Sequence, residues 1–164
     1  MTIIVMGVSG SGKTTVGIAL ARALGWRLVD GDDLHPAANV AKMSRGEPLS
    51  DADRVPWLDA IRSEIVRSRS HGESLVIACS ALKAGYRQHL AAGDRDLTFV
   101  YLDAAPAVLE HRLASRTGHF AGPNLLASQV AALEAPSPQD AVIVQADQPV
   151  TAIVSEIQRR RAPE

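Results

Sequence analysis

Gly7-Val8-Ser9-Gly10-Ser11-Gly12-Lys13-Thr14 fits the pattern G-x-x-x-x-G-K-[ST], a spacing suited to gripping nucleotide phosphates. Gly7, Gly10 and Gly12 let the backbone turn back with its N–H groups aimed inward, and Ser9 and Ser11 add their amides to the same nest. The helix that begins there supplies unsatisfied donors and partial positive charge. Lys13 reaches the β- and γ-phosphates as a point charge, the Thr14 hydroxyl can ligate Mg²⁺, and Thr15 offers one more hydrogen bond. The plain alternative is a glycine-rich strand–helix turn with no ligand. Against it, the motif directly follows the apolar run Ile3-Ile4-Val5-Met6 and opens an amphipathic helix.

A second constellation, Leu28-Val29-Asp30-Gly31-Asp32-Asp33, sets two carboxylates two residues apart at the end of a strand, where alternation points Asp30 and Asp32 the same way. Asp30 is then placed to support Mg²⁺, and Asp32 to accept the proton of an attacking hydroxyl. Asp33 reads as a helix cap. No Asn-Lys-x-Asp guanine-reading sequence occurs, and the third strand runs into Cys79-Ser80 with no acidic residue at its end. A switch GTPase is therefore disfavoured, and Asp30 becomes the obvious magnesium carboxylate. Further on, Arg112 and Arg116 lie four apart on one helix face, just before Thr117-Gly118-His119-Phe120-Ala121-Gly122-Pro123. Such a segment suits a lid that closes over phosphates and expels water. An arginine delivered in cis to the γ-phosphate is worth about 10³–10⁵ in rate. Arg116 is expected in that role, and Arg112 against the adenine.

These groups need a scaffold, and the chain alternates strand and helix throughout. Strands are expected over Thr2–Met6, Arg27–Asp30, Ser74–Cys79, Leu97–Leu102 and Ala141–Ala146. Three of them carry continuous rather than alternating apolar runs, as strands buried on both faces do. Helices are expected over Thr14–Leu24, Lys83–Ala92, Ala105–Ser115, Leu125–Leu133 and Pro149–Arg160. A longer one follows Ser50, with Leu58, Ile61 and Ile65 at helical spacing. Its start is open between the capping box Ser50-Asp51-Ala52-Asp53 and a first turn at Pro56. Strict alternation means βαβ units and a five-stranded parallel sheet covered on both sides. Ligands of such sheets bind beyond the carboxyl ends of the strands. The loop Ala146-Asp147-Gln148-Pro149 is placed there to line a base pocket.

The 164 residues suit one domain, 1–164, with a lid at about 112–136. Lys plus Arg number 17 against 18 Asp plus Glu, for a net charge of −1, which argues against a general nucleic-acid binder. Arg159-Arg160-Arg161 reads as a solvated end. The single Cys79 forms no internal disulfide and reads as a strand-end packing residue. With no apolar stretch of spanning length and no signal-like N-terminus, a cytoplasmic protein away from membranes is expected.

The chain resembles the gluconate kinase family of small P-loop kinases. The resemblance rests on Gly7 to Thr15; on Asp30-Gly31-Asp32-Asp33-Leu34-His35-Pro36 with Asn39 and Lys42-Met43; and on Gly46 to Leu58. It extends through Cys79-Ser80-Ala81-Leu82-Lys83 with Tyr86-Arg87, and through Arg116 to Phe120 with Leu125-Leu126 and Ser128-Gln129. It implies a three-layer α/β fold of the nucleoside-monophosphate-kinase and shikimate-kinase type, a small lid, and transfer of phosphate from ATP, with Mg²⁺, to the terminal hydroxyl of D-gluconate. Asp30 would help hold the metal and Asp32 would orient or deprotonate the hydroxyl. Arg54 would meet the substrate carboxylate, where a guanidinium fork fits bidentately. His35, Ser80, Lys83 and Arg87 are further candidates for the substrate. His35 also reads as a cap or packing residue, and Lys83 with Arg87 as a solvated helix face. The resemblance points to a homodimer. Another small-metabolite kinase of the same fold, and a nucleotide-binding regulator without catalysis, are the rival readings.

Overall fold

Residues 1–115 and 123–161 are described by the computed structural model. Five strands form one sheet: β1 (Thr2–Met6), β2 (Arg27–Asp30), β3 (Leu75–Ala78), β4 (Leu97–Asp103) and β5 (Val142–Gln145). Their order is β2-β3-β1-β4-β5, and every neighbouring pair is parallel. Ile4 at the centre faces Ile77 on one side and Phe99 on the other. Strand periodicity then sorts β1 between two cores. Ile4 and Met6 pack with Trp57, Leu58, Ile61, Ile65 and Leu90. Ile3 and Val5 pack with Val16, Leu20, Ile153 and Ile157 on the other face. The first core is covered by α3 (Asp51–Ser70) and α4 (Ala84–Ala91), and the second by α1 (Lys13–Leu24) and α7 (Val150–Arg161). This is the expected three-layer arrangement of the P-loop kinases.

Helix α1 buries Val16 and Leu20 and stops at Gly25, which adopts the left-handed conformation of a C-cap. At α3 the capping box decides the start. Ser50 accepts from the Asp53 N–H at 3.1 Å, and the Asp53 carboxylate accepts from the Ser50 N–H at 2.7 Å. Pro56 consequently lies inside the helix, not in its first turn. Ser50→Ala is expected to cost about 1 kcal/mol of unfolding free energy, measurable by urea titration; an unchanged midpoint would show the cap idle.

Three further α-helices complete the described chain: α2 (Ala37–Ser44), α5 (Pro106–Ala114) and α6 (Pro123–Ala132). The sequence pattern does not announce α2, whose only buried residue is Asn39. A small third core of Val8, Leu82 and Leu109 takes Leu126 and Leu133 against it, fastening the α6 region to the phosphate loop and to the end of β3. The basic C-terminal stretch is not simply solvated. Arg160 donates to the Ile143 carbonyl at 2.5 Å, and the Arg161 guanidinium lies 4.4 Å from the Trp26 ring centre. No described helix is long and apolar enough to cross a membrane.

Because the chain steps from β1 out to β2, returns to β3 and then crosses to β4, the carboxyl end of β1 opens at the point where strand order reverses. Residues 7–14 emerge there, beside the ends of β2 and β3.

Candidate active site

The loop after β1 closes tightly on itself. At Gly7, φ is +148°, and a Cβ there would meet the Ser11 Oγ at 2.7 Å and the Leu102 carbonyl at 3.1 Å, so only glycine fits. Helix α1 starts at Lys13, and its first-turn amides have no carbonyl ahead of them in the helix to bond. Lys13 donates from Nζ to the Val8 carbonyl at 3.2 Å, which lays its ammonium across the loop. Ser9, Gly10, Gly12, Lys13 and Thr14 share one cleft with Asp30 and Asp32. The two sequence constellations therefore meet. Thr15 is exposed at the start of α1.

Asp30 ends β2, and its two carboxylate oxygens do different work. Oδ2 accepts from the Thr14 hydroxyl at 3.1 Å, and Oδ1 accepts from the Asp32 N–H at 3.1 Å, capping a short 3₁₀ turn over Gly31–Leu34. The cap on that turn is thus Asp30; Asp33 lies inside the turn, and the helix that follows starts after Pro36 with no side-chain cap, so the expected cap at Asp33 is not made. Gly31 permits the turn to lie against the sheet, since a Cβ would come within 2.8 Å of the Ala78 carbonyl. Asp32 is reachable from solvent, yet desolvation by the cleft and then the neighbouring Asp30 charge raise its pKa; Lys13 opposes both. A carboxylate so placed holds a proton more readily than an ordinary aspartate.

Thr14 and Asp30 are hard oxygen donors of the kind Mg²⁺ takes. Among the described residues no group of three His, Cys, Asp or Glu is placed to hold a metal. A hydroxyl and a carboxylate, completed by phosphate oxygens and water, is the usual magnesium arrangement in phosphoryl-transfer sites, so the residues fit.

A second cluster gathers at the N-terminal ends of α3 and α4. Arg54 donates to the Leu49 carbonyl at 2.6 Å, and its guanidinium carbon lies 5.9 Å from the centre of the Tyr86 ring. The Lys83 ammonium lies 5.7 Å from the same ring and pairs with Asp51 at 2.8 Å. Tyr86 also donates its hydroxyl to Asp51. His35, half-buried, stacks on Trp57 with ring centres 4.4 Å apart. Burial, and then the Arg54 charge, lower its pKa to about 4. The ring is neutral at neutral pH.

Ser80 stands in the loop after β3, where its carbonyl accepts from the Gly7 N–H at 3.4 Å. The next residue, Ala81, is fully buried with φ of +43°, an uncommon conformation for alanine. Arg87 secures that turn. It donates to the carbonyls of Ala81 at 3.0 Å, Leu82 at 3.1 Å and Glu134 at 2.9 Å, and is 8% exposed. The paired surface reading of Lys83 and Arg87 fails because Lys83 precedes α4 in an extended conformation, while Arg87 is turned inward. Cys79 is buried, and desolvation pushes its thiol up to about 12, which fits a packing residue and not a nucleophile.

Arg112 bridges the phosphate loop and the loop after β5, donating to the carbonyls of Ser11 at 3.2 Å and Ala146 at 2.5 Å. That places it between the phosphate cleft and the expected base pocket. Arg116 and residues 117–122 lie outside the described residues. Sequence reasoning assigned no role to Gln129 on α6, whose side-chain oxygen accepts from the Ser9 N–H at 2.6 Å. Asn39, Asp51 and Tyr86 likewise had none. Their only signal was membership in the matching segments.

A family model described as an AAA domain matches residues 2–136. A gluconokinase of Gluconobacter oxydans is 48% identical over 141 residues, covering 86% of this chain and 79% of its own. The crystal structure of a gluconokinase from Sinorhizobium meliloti superposes with a TM-score of 0.84 at 47% identity, covering 94% of this chain and 87% of the other. An unliganded sugar kinase from a Janibacter species reaches a TM-score of 0.89 at 38% identity, covering 96% and 92%.

Proposed function

The chain belongs to the gluconokinase family, and on that premise we propose that the cleft between residues 7–14 and Asp30–Asp32 carries the γ-phosphoryl group of ATP to the terminal hydroxyl of D-gluconate. The observation that carries this reading is the meeting of Lys13, Thr14, Asp30 and Asp32 in one cleft, with Asp32 shifted toward proton acceptance. Lys13 and the loop amides bind the β- and γ-phosphates and hold the transferring group in line. Thr14 and Asp30 would hold Mg²⁺, which when bound neutralises phosphate charge. Asp32 orients the acceptor hydroxyl and takes its proton. No covalent intermediate is required.

The second cluster is the candidate site for the sugar acid. Arg54 and Lys83 present two cations near Tyr86, with Asp51 balancing one of them. A substrate carboxylate finds its complement there. In this reading the lid spans 112–136 with Arg112 at its base, and the γ-phosphate role expected of Arg116 falls outside the described residues. Arg54→Lys is expected to raise the KM for gluconate about tenfold or more, because the point charge replaces a planar fork. The KM for ATP should stay within a few-fold. Equal KM values for gluconate would remove Arg54 from the acceptor site.

The reading is tested by coupled ADP release across gluconate, shikimate, other sugar acids, adenylylsulfate and nucleoside monophosphates. Gluconate is expected to give the highest kcat/KM. A different preferred acceptor would reassign the substrate, and nucleotide binding without acceptor-dependent turnover would favour a regulator.

A further inference from the structure

His35 and Asn39 lie one helical turn apart where the 3₁₀ turn passes into α2, and their contact fixes the state of the imidazole. The Asn39 Nδ2 lies 2.8 Å from the Asp53 carbonyl oxygen, which can only accept. The amide must therefore face that carbonyl with its NH₂ group. The same NH₂ lies 3.3 Å from His35 Nδ1. Two donors cannot face each other, so Nδ1 carries the lone pair and the neutral ring carries its proton on Nε2.

The surroundings hold this arrangement rigidly. Asn39 is 5% exposed. The Asp53 carboxylate is tied to Lys42 and to the Ser50 N–H, both at 2.7 Å, which locks the first turn of α3 that offers the carbonyl. Trp57 covers a face of the imidazole with the planes 10° apart, and its own Nε1 donates at 2.7 Å to Gly31, the residue before Asp32. The Nε2 of His35 has no hydrogen-bond partner among the described residues.

We infer that Asn39 is a positioning residue that sets His35 as an Nε2–H donor, so that His35 gives a hydrogen bond to an oxygen of the sugar acid and cannot take a proton from it. The inference rests on the proposed gluconate site for the identity of the ligand, and on the hydrogen bonds alone for the tautomer. It leaves Asp32 as the proton acceptor on this side of the cleft. It also gives the Asn39, Lys42, Asp53 and Trp57 positions one shared purpose.

Long-range ¹H–¹⁵N spectra of the labelled, ligand-free full chain read the tautomer directly, with the His35 signals identified by their loss in His35→Phe. At neutral pH, Nδ1 is expected to appear unprotonated and Nε2 protonated. Asn39→Asp and Asn39→Ala both remove the donor, the second without adding charge; in whichever folds, the single Nε2–H tautomer should be lost. A protonated Nδ1 in the unaltered protein, or an unchanged ring in these variants, would overturn the assignment. In kinetics, His35→Phe keeps an aromatic ring on Trp57 but has no donor. Its kcat/KM for gluconate should fall about tenfold or more with the KM for ATP unchanged. His35→Gln, which restores an N–H near the same place, should recover part of the loss. Unimpaired His35→Phe would overturn the donor role. Lack of gluconate turnover in the unaltered protein would instead refute the substrate reading and leave the tautomer result standing.

Discussion

Lys13→Ala is expected to lower phosphoryl transfer by at least about 10²–10³-fold while the fold persists. Removing the ammonium strips the loop of its one mobile positive charge, and the backbone amides left behind grip phosphate without following charge onto the transferring group. The fold should survive because α1 is anchored by Val16 and Leu20 and closed by Gly25, none of which involves the lysine. The bond from Lys13 to the Val8 carbonyl is partly exposed, and one such hydrogen bond is worth about 0.5–1.5 kcal/mol. ADP release with gluconate, paired with a thermal melt by circular dichroism, separates the two effects. Full turnover in the variant would take the loop out of the chemistry, and a collapsed melt would make the lysine structural.

Asp32→Asn should lower kcat by about 10²–10⁴-fold with the KM for ATP changed by no more than a few-fold. Asparagine keeps the shape and a hydrogen bond but cannot accept the proton. The sign of the pH dependence follows from the same residue. Burial, the larger cause, and in the metal-free cleft the Asp30 charge raise the Asp32 pKa, so the active carboxylate form is lost on acidification sooner than for an ordinary aspartate. Turnover should fall as pH drops through that raised value, and Asp32→Asn should abolish this acid limb together with most of the rate. His35 does not supply the limb through base catalysis, because its Nδ1 lone pair faces the Asn39 amide and its proton sits on Nε2. A variant with normal kcat, or one retaining the acid limb, would move the proton acceptor elsewhere.

What could be read from the sequence divides by whether a feature is local. The phosphate loop was legible because its backbone path excludes side chains at fixed positions, as the 2.7 Å approach at Gly7 shows. The sheet was legible because strands buried on both faces leave unbroken apolar runs such as Leu75-Val76-Ile77-Ala78. Asp30 and Asp32 belong to the same class, since both follow directly from the end of β2.

Features that depend on distant backbone were not legible. Arg87 resembles a surface residue in sequence, and its burial rests on carbonyls of Ala81 and Leu82 in an unusual turn and on that of Glu134, brought round from beyond α6. The role of Asn39 needs the Asp53 carbonyl, presented by a helix whose start the sequence left open. Helix α2 was missed because its one buried residue is polar, so no apolar stripe marks it. In each case the deciding partner is a main-chain group, and main-chain groups leave no trace in residue type.

The account stands most directly on where the phosphate goes. Phosphorus NMR of the purified protein with ATP, Mg²⁺ and D-gluconate follows that atom without coupling enzymes. A new phosphomonoester signal split by the two protons of a terminal CH₂, growing in step with ADP, is the predicted result. ADP accompanied only by inorganic phosphate, or a phosphomonoester on a secondary carbon, would contradict it.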